Sequence, residues 1–445
     1  MISLSVWRFL RRWGGVCLLL LGLAACACPA KLATAPTPTP GTLYVDASQR
    51  LGSISPLVYG ANFGPWSVVP YDLWPVAQES GITFLRYPGG EWGDRNALRP
   101  YHIDQLMTLA EMIGAEPHIC VRLLDGTPEA AAELVRYANV EKEYNVRYWS
   151  IGNEPNLFPD YSIDQLNADW RAIAEAMEAV DPDIVLIGPN TNQFTGNPNT
   201  DPRDDDGRDW LHEFLLANGD MVDIVAVHRY PFPRGRTASP ATIEDLRANS
   251  AEWDTIIPNL RVVIQETTGR DLPIAIAEVN SHWSHAINGE GTPDSFYNAI
   301  WWADVLGRLI RQRVDIVAYF SLQSPPTTGG FGLLATSEVR PTYYVYQIYQ
   351  RFGSELLYAV SDDPDVSIYA AQREDGALTL VVINLGPEEK VKPLFVRGFE
   401  IGEAAEVWLF DAEHEAEMID TQEIASGDEI AVPAQSVSLY VFPQQ

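Results

Sequence analysis

The chain has 445 residues, of which 46% are hydrophobic and 11% aromatic, a composition that supports packed domains and excludes a disordered protein. Its length exceeds one small domain and suits a barrel of about 250 residues with an accessory domain. Sixty acidic against thirty basic residues give a formal charge of −30, so that DNA, RNA and anionic lipid headgroups would be repelled and nucleic acid is not an expected partner.

The first 25 residues have the charge pattern of an export signal. Arg8, Arg11 and Arg12 precede an apolar run at residues 13–23 that is too short to span a bilayer comfortably. Leu23-Ala24-Ala25-Cys26 then resembles the lipobox of a bacterial lipoprotein signal peptide. The resemblance implies that Cys26 is lipidated after cleavage. It further implies an exported protein that is lipid-anchored on the outer face of the bacterial cell membrane or in the cell envelope. An ordinary signal peptide is the alternative.

Residues 26–42 read as a tether because they are rich in Pro, Thr and Ala. Such a composition favours extended polyproline conformations and forms a semi-rigid spacer. The cysteines show no metal-binding spacing such as C-x-x-C, and neither a metal nor a cofactor is expected.

Between residues 57 and 353 the chain alternates eight strand-like with eight helix-like segments. The strand candidates are the apolar runs 57–63, 82–88, 116–124, 146–154, 184–190, 222–230, 272–280 and 314–323. Parallel strands that are buried on both faces have this near-continuous apolar pattern. The segments between them are amphipathic, so the pattern predicts an α/β protein with a (β/α)8 TIM barrel.

The pattern changes after residue 353. Short alternating strands separated by Gly, Asp and Pro fill residues 354–445 and predict a C-terminal β-sandwich domain. Residues 43–56 contain one further strand, which we expect to join this sandwich rather than the barrel.

Catalytic residues of TIM barrels project from the carboxyl ends of the strands. Two carboxylates stand out there, Glu154 at the end of the fourth strand and Glu278 at the end of the seventh. A closed barrel brings both to the same mouth. Two carboxylates across a cleft can cleave a glycosidic bond, because one protonates the leaving oxygen and the other attacks the anomeric carbon. The competing interpretation of Asn153-Glu154-Pro155 is an ordinary turn after a strand.

The motifs at these strand ends resemble glycoside hydrolase clan A, the retaining barrel glycosidases. They are IGNEP (151–155), HRY (228–230) and AE (277–278). GNEPNLF followed by VHRYPFPRGRT is similar to the heparanase and β-glucuronidase family. RYPGG (86–90) and LGSISPLVYGANF (51–63) are more similar to the α-L-arabinofuranosidase family. The resemblance covers about residues 43–445.

This resemblance implies roles for individual residues. Glu154 matches the acid/base of the clan, and Glu278 matches its nucleophile. Asn153 matches the residue that hydrogen-bonds the sugar hydroxyl beside the anomeric carbon, and Arg86 and Tyr230 match groups that hold the nucleophile ionised and oriented. For His228, a role in orienting Glu154 or the substrate competes with that of a core histidine.

Aromatic side chains are a second indication of sugar binding, because ring faces stack on the C–H surfaces of sugars. Trp66, Trp92 and Trp283 follow strands one, two and seven and are candidates to line the mouth, with ordinary packing as the alternative for each. Phe320 stands where many members of the clan have a sugar-stacking tryptophan. This departure leaves the substrate in doubt but not the carboxylate pair.

Two charged loops leave alternatives open. The acidic loop 201–209 could bind Ca²⁺ through its oxygens, although a solvated loop without EF-hand spacing is the simpler interpretation. Arg229, Arg234 and Arg236 could bind the carboxylate of a uronic-acid sugar or could neutralise the acidic loop. A pentofuranoside or another neutral sugar is the alternative substrate.

The sequence therefore predicts a retaining glycoside hydrolase that acts on extracellular or cell-envelope poly- or oligosaccharide through two carboxylates. The alternative from another class is a catalytically inactive surface lipoprotein that binds carbohydrate.

Overall fold

The computed structural model describes residues 38–232, 239–284, 287–324, 330–401 and 404–444. The predicted signal segment, Cys26 and most of the tether lie outside the described residues, and their assignment stays a prediction. Within the described ranges, no helix combines the length and the apolar character needed to cross a bilayer.

The first described strand is β1 (Leu43–Ser53), and eight parallel strands that close into a barrel follow it in chain order. The barrel strands are β2 (Gly60–Asn62), β3 (Phe84–Tyr87), β4 (Glu116–Val121), β5 (Tyr148–Ile151), β6 (Val185–Thr191), β7 (Ile224–Arg229), β8 (Ile274–Val279) and β9 (Ile316–Tyr319). The predicted TIM barrel is confirmed. Each of these strands lies within or close to one of the eight predicted apolar runs, and several are shorter than the run.

Helices surround the barrel and form the connections between its strands. They are α1 (Trp74–Gln78), α2 (Trp92–Arg95), α3 (Pro100–Ile113), α4 (Pro128–Val135), α5 (Ile163–Glu178), α6 (Trp210–Asn218), α7 (Ile243–Asn249), α8 (Trp253–Thr268), α9 (Phe296–Arg311) and α10 (Pro341–Tyr349). Short 3-10 turns lie at Pro56–Val58, Tyr71–Leu73, Pro155–Leu157 and Ser250–Glu252, and a π-helical turn extends α4 over Arg136–Glu141. Side-chain caps begin several helices, as Ser162 does by accepting a hydrogen bond from the backbone N–H of Gln165.

Alternate residues of the barrel strands point inward and fill the barrel. The apolar members of this interior cluster are Phe84, Ile187, Ile224, Ala226, Ala275, Ala277, Ile316 and Ala318. Four of these eight side chains are alanines, and such small residues leave room for longer side chains near the mouth. Arg86 uses this space and is completely buried.

The second domain is a single nine-stranded sheet. Its further strands are β10 (Glu355–Ser361), β11 (Val366–Gln372), β12 (Leu378–Asn384), β13 (Lys390–Arg397), β14 (Ala404–Phe410), β15 (Glu415–Glu423), β16 (Glu429–Val432) and β17 (Ser436–Phe442). Their spatial order is β15-β14-β17-β12-β11-β10-β1-β13-β16. β1 pairs antiparallel with β10 and parallel with β13, so the N-terminal strand lies within the sheet.

This sheet is sandwich-like because it curls over its own core. Asn384 of β12 donates a hydrogen bond of 3.1 Å to the carbonyl of Val432 in β16, although four strands separate these two in the sheet order. The concave core includes Leu43 and Ile368. On the other face, Tyr369 belongs to the same buried cluster as the helices of the barrel.

One close contact between sheet and barrel joins Tyr369 of β11 to α9. The Tyr369 hydroxyl donates a 2.7 Å hydrogen bond to Asp304, and Arg308 forms a 2.8 Å ion pair with the same carboxylate. The ring of Tyr369 lies over Gly307, where an added Cβ would stand 2.3 Å from the nearest ring carbon. A glycine is therefore required at this position of α9 for the sheet to dock.

We expect the substitution Gly307→Ala to lower the free energy of unfolding by about 1–3 kcal/mol, the usual cost of overpacking a core. The sign of this change tests the contact. Ala is favoured over Gly inside a helix by about 1 kcal/mol, so without the clash the substitution would stabilise the protein. Denaturant unfolding of Gly307→Ala, Tyr369→Leu and the double variant measures the effect. The cost of Gly307→Ala should shrink in the Tyr369→Leu background, and a stabilising Gly307→Ala would contradict the contact.

Candidate active site

Barrel closure brings together polar side chains that are far apart in the sequence. Arg86 lies in β3, and Asn153 and Glu154 follow β5. His228 lies near the end of β7 with Tyr230 just beyond the strand, and Glu278 lies near the end of β8. One carboxylate oxygen of Glu154, one of Glu278 and a ring nitrogen of His228 all lie within 4.8 Å of one another. The two carboxylates that are 124 residues apart in the chain thus face each other across the mouth.

Glu278 is held by three donors. Arg86 forms an ion pair of 3.0 Å with Oε2, and the backbone N–H of Gly90 donates to the same oxygen at 3.1 Å. The hydroxyl of Tyr230 donates to Oε1 at 2.8 Å. Burial and the adjacent Glu278 carboxylate keep the pKa of Tyr230 well above its ordinary value, so this hydroxyl remains a donor. Both oxygens of Glu278 are therefore hydrogen-bonded and the side chain is fixed in orientation.

The Arg86 guanidinium connects Glu278 to the floor of the site. Nη1 also donates to Oδ1 of Asn62 at 2.8 Å, and Nη2 donates to Oδ1 of Asn153 at 2.7 Å. Asn62 in turn donates to the backbone carbonyls of Ala277 and Ala318. The guanidinium thus ties β2, β3, β8 and the turn after β5 into one hydrogen-bonded unit.

Glu154 lies in a turn with an unusual backbone. Its φ of 51° places it in the left-handed region, which is uncommon for residues other than glycine, and Pro155 begins the 3-10 turn that follows. Its N–H donates to the carbonyl of Asn190 at 3.1 Å. This turn directs the carboxyl group back over the barrel mouth.

Two neutral donors contact the carboxylate of Glu154. Nδ1 of His228 lies 3.0 Å from Oε1, and Nδ2 of Asn192 donates to the same oxygen. Burial raises the pKa of Glu154, an effect that the Asn192 hydrogen bond and the charge of Arg86 oppose. The two carboxylates therefore have different environments, since Glu278 is paired with a cation and Glu154 is contacted by uncharged groups.

His228 remains neutral in this site. Its side chain is completely buried, and burial lowers its pKa to about 3, with the charge of Arg86 acting in the same direction and Glu278 in the opposite one. A carboxylate can only accept hydrogen bonds, so Nδ1 carries the proton whenever Glu154 is ionised. His228 is in contact with Glu154, which makes the orienting role the better interpretation of this residue.

Asp94 and Asn192 contribute to the site but were not among the residues predicted from the sequence. Asp94, in α2, is buried and accepts hydrogen bonds from the backbone N–H groups of Leu123, Leu124 and Asn153. It thereby fixes the ends of the loops after β4 and β5. Asn192 directly follows β6. Its position just beyond a barrel strand was the one indication in the sequence that its side chain could reach the mouth.

The three candidate tryptophans lie in different surroundings. Trp66 stacks on Phe320 with ring centroids 6.1 Å apart, and Phe320 lies against Gly90, whose N–H contacts Glu278. Trp92 instead packs edge-on against His102 at 5.2 Å. Trp283 is 39% exposed in the loop after β8. Of the three, Trp66 is the one whose described contacts connect it to the carboxylates.

The structure accounts for the acidic loop by internal contacts. Asp201 accepts hydrogen bonds from the N–H and the hydroxyl of Thr195 at 2.6 and 2.7 Å. Asp204 pairs with Arg208 at 2.8 Å, and Asp209 caps the N-terminus of α6. These carboxylates organise the loop, which favours the interpretation without calcium.

Arg229 does not point at the carboxylate pair. It forms a bidentate ion pair with Glu252, with distances of 2.9 and 2.6 Å. Its guanidinium is therefore already paired, which disfavours binding of a uronate by this arginine, one of the two alternatives that the sequence left open. Arg234 and Arg236, the other two members of the predicted basic cluster, lie outside the described residues.

A ring nitrogen and two carboxylate oxygens within 4.8 Å are also a ligand set that a divalent cation could use. Here the Arg86 guanidinium already supplies a positive charge to Glu278, and Asn192 and His228 occupy Oε1 of Glu154. These contacts already balance the charge of Glu278 and orient Glu154, so the grouping is better suited to proton transfer than to metal binding.

Comparison with known proteins identifies similar sequences. The sequence profile of glycosyl hydrolases family 39 matches residues 131–385, which is more than half of the chain. A probable alpha-L-arabinofuranosidase C of Aspergillus fumigatus is 24% identical over 456 aligned residues, covering 80% of this chain and 86% of the relative. A beta-xylosidase of Geobacillus stearothermophilus is 26% identical over 269 residues, covering 55% of this chain and 48% of the relative.

Solved structures share the fold. CelM2, a bifunctional glucanase-xylanase from a metagenome library, superposes with a TM-score of 0.72 at 17% identity, covering 92% of this chain and all of that chain. An alpha-L-arabinofuranosidase from Thermotoga maritima gives a TM-score of 0.70 at 18% identity, with 90% and 99% covered. At these identities the likeness establishes the architecture of barrel and β domain and nothing finer.

We expect the His228 ring to show no titration between pH 8 and pH 5, with its proton on Nδ1. Its buried position disfavours the imidazolium, whereas the Asp411 hydrogen bond raises the pKa of His414 on the β domain above the ordinary value. Nitrogen-15 NMR of the imidazole rings measures both residues in one sample, and His414 is the internal control. A His228 signal that shifts together with that of His414 would contradict this assignment.

Proposed function

Because the chain belongs to glycosyl hydrolases family 39, we propose that it hydrolyses glycosidic bonds with retention of anomeric configuration, using Glu278 as nucleophile and Glu154 as acid/base. The observation that supports this proposal is a pair of carboxylates that face each other across the barrel mouth, with one oxygen of each within 4.8 Å of the other, a closeness compatible with a retaining pair. Retaining glycosidases place their carboxyl groups about 5–5.5 Å apart, whereas inverting ones need about 6.5–9.5 Å to admit a water molecule.

In the first step, Glu278 attacks the anomeric carbon and forms a glycosyl ester, while the bond from that carbon to the leaving oxygen breaks. Arg86, Gly90 and Tyr230 restrict the carboxylate to one orientation. Glu154 delivers its proton to the leaving oxygen, and the burial that raises its pKa favours the protonated form required for this step.

In the second step, the ionised Glu154 removes a proton from a water molecule, and this water attacks the anomeric carbon. The ester bond to Glu278 breaks, and both carboxyl groups return to their starting protonation states. Neutral His228 and Asn192 can stabilise the Glu154 carboxylate between the two steps without adding a charge.

Asn153 is placed to hold a sugar hydroxyl. Arg86 donates to Oδ1 of Asn153, and this contact turns Nδ2 of the amide toward other acceptors. A hydrogen bond from Nδ2 to the hydroxyl beside the anomeric carbon would strengthen as positive charge develops on the ring, so it would stabilise the transition state more than the bound substrate.

The free energy needed to bury the charged groups of the site favours an enzyme over an inactive carbohydrate-binding protein. A buried Arg86 with a nearly buried Glu278 requires several satisfied hydrogen bonds, and a left-handed Glu154 adds backbone strain. Binding of a sugar alone does not need two carboxylates in such different environments.

For the substrate, we infer a neutral pentoside, an α-L-arabinofuranoside or β-D-xyloside unit of a poly- or oligosaccharide. The curated relatives bear the names alpha-L-arabinofuranosidase and beta-xylosidase. The described floor of the site presents amide groups, and Arg229 is already paired with Glu252. A uronide would depend on Arg234 or Arg236 and is the second candidate. The envelope location predicted from Cys26 would place the enzyme where such polysaccharides are met.

We expect Glu278→Ala to lower kcat/KM by roughly 10^4-fold or more, because the covalent step is lost. Glu154→Ala should lower kcat by about 10²–10⁴-fold for sugars with poor leaving groups and much less for activated aryl glycosides, which need no proton. Steady-state kinetics with both substrate types measures the difference, and Glu129→Ala, an exposed carboxylate on α4, is the matched control. Proton NMR of the first product identifies its anomer, and an inverted product would contradict the double displacement.

We expect aryl α-L-arabinofuranoside or β-D-xyloside to be cleaved at least about 10-fold faster, by kcat/KM, than aryl β-D-glucoside and β-D-glucuronide. One contact worth about 1.4 kcal/mol in the transition state is enough for this ratio. The same panel with Arg234→Ala separates the two substrate classes. Fast glucuronide hydrolysis that collapses in this variant would replace the pentoside by a uronide.

A further inference from the structure

The end of β6 and the first residue after it contact the turn that carries Glu154 through three hydrogen bonds. The carbonyl of Asn190 accepts the N–H of Glu154 at 3.1 Å, and Nδ2 of Asn192 donates to Oε1 of the Glu154 side chain. In return, Oδ1 of Asn156 accepts the backbone N–H of Asn192 at 2.9 Å. The backbone of Asn192 is thus held by the same turn whose carboxyl group its side chain contacts.

The contacts on Glu154 are unequal between its two oxygens. Among the described residues, both side-chain donors, Asn192 and His228, reach Oε1, and none is in hydrogen-bond contact with Oε2. The side chain is 16% exposed. Oε1 therefore faces the protein and Oε2 is the oxygen that is open to the cleft.

We propose that Asn192, held by Asn156, is a positioning residue that fixes Oε2 of Glu154 as the oxygen that delivers the proton and stabilises the carboxylate left behind. This inference rests on the acid/base role proposed above for Glu154. Asn192 itself does not exchange a proton, because an amide has no titratable group in the working range of pH.

The sign of the expected effect follows from the groups that face Glu154. They are Arg86 from β3, Asn192 after β6, His228 and Tyr230 at the end of β7, and Glu278 from β8. Burial raises the pKa of Glu154, and the Asn192 hydrogen bond and Arg86 lower it. His228 and Tyr230 stay uncharged near neutral pH. Loss of the Asn192 donor must therefore shift the pKa of Glu154 upward.

The test is the pH profile of kcat/KM for Asn192→Ala and Asn192→Asp with a substrate that has a poor leaving group. The alkaline limb reports the loss of the acid form in the free enzyme. We expect it to move to higher pH in Asn192→Ala and further in Asn192→Asp, whose carboxylate replaces a donor by a like charge. At the optimum, turnover of the poor substrate should fall roughly 10-fold or more, and that of an activated aryl glycoside clearly less.

Two further variants keep the result interpretable. Asn156→Ala retains the amide of Asn192 but loosens its anchor, so its alkaline limb should lie between those of the wild type and Asn192→Ala. Asn199→Ala, an exposed residue of the same loop, should leave the profile unchanged. Thermal unfolding of each variant verifies that the fold is intact.

The outcomes separate this inference from the proposed function. If both Asn192 variants lose activity equally for both substrates and keep the wild-type limb, Asn192 is only structural and the inference is wrong. If Glu154→Gln retains the limb and full turnover of poor substrates, the acid/base role itself fails, whatever the Asn192 variants do. An ordered displacement of the limb that is absent in Glu154→Gln supports both.

Discussion

The ion pair between Arg86 and Glu278 is the interaction on which the candidate site depends. The Arg86 side chain has no exposed surface and that of Glu278 is 7% exposed, so neither charge is solvated by bulk water. Removing one partner of such a pair typically costs about 3–5 kcal/mol, because the other charge stays buried. Asn62 and Asn153 accept further hydrogen bonds from Nη1 and Nη2 of Arg86, which partly replace the lost hydration of the guanidinium. The barrel strands supply Asn62 and Glu278 at a fixed register and the turn after β5 supplies Asn153, which makes the site rigid.

The contacts around the Arg86–Glu278 ion pair also give the two carboxyl groups different surroundings. Glu278 has a cation, a phenol and a backbone N–H as donors, whereas Glu154 is contacted by a neutral imidazole and an amide. Two carboxyl groups with different environments can take different roles at one pH, one attacking as an anion and the other carrying a proton. The left-handed turn at Glu154 and the hydrogen bond from Asn192 hold the Glu154 carboxyl group in its own environment, apart from the cation that contacts Glu278.

Several other arginines in the described part of the chain form ion pairs that connect elements of the fold. Arg247 of α7 pairs with Asp365 of the β domain, Arg308 pairs with Asp304 beneath Tyr369, and Arg229 pairs with Glu252. The chain has twice as many acidic as basic residues, so a cation readily finds an acidic neighbour. A basic residue in this sequence is therefore not by itself evidence for an anionic substrate.

The sequence by itself determined the barrel and the positions of the two carboxylates along it. Parallel strands buried on both faces must be apolar throughout, and a charged residue at the end of such a run can only lie at the mouth, so Glu154 and Glu278 stand out. Tertiary structure alone decided which groups contact them. The hydrogen bond from Asn192 to Glu154 and the three backbone N–H groups that Asp94 accepts join different strand-helix units, and the ion pair of Arg229 with Glu252 joins residues 23 positions apart. The local sequence does not identify such partners, because a hydrogen bond or an ion pair forms only between groups that are close in space. The closed barrel determines which groups are close.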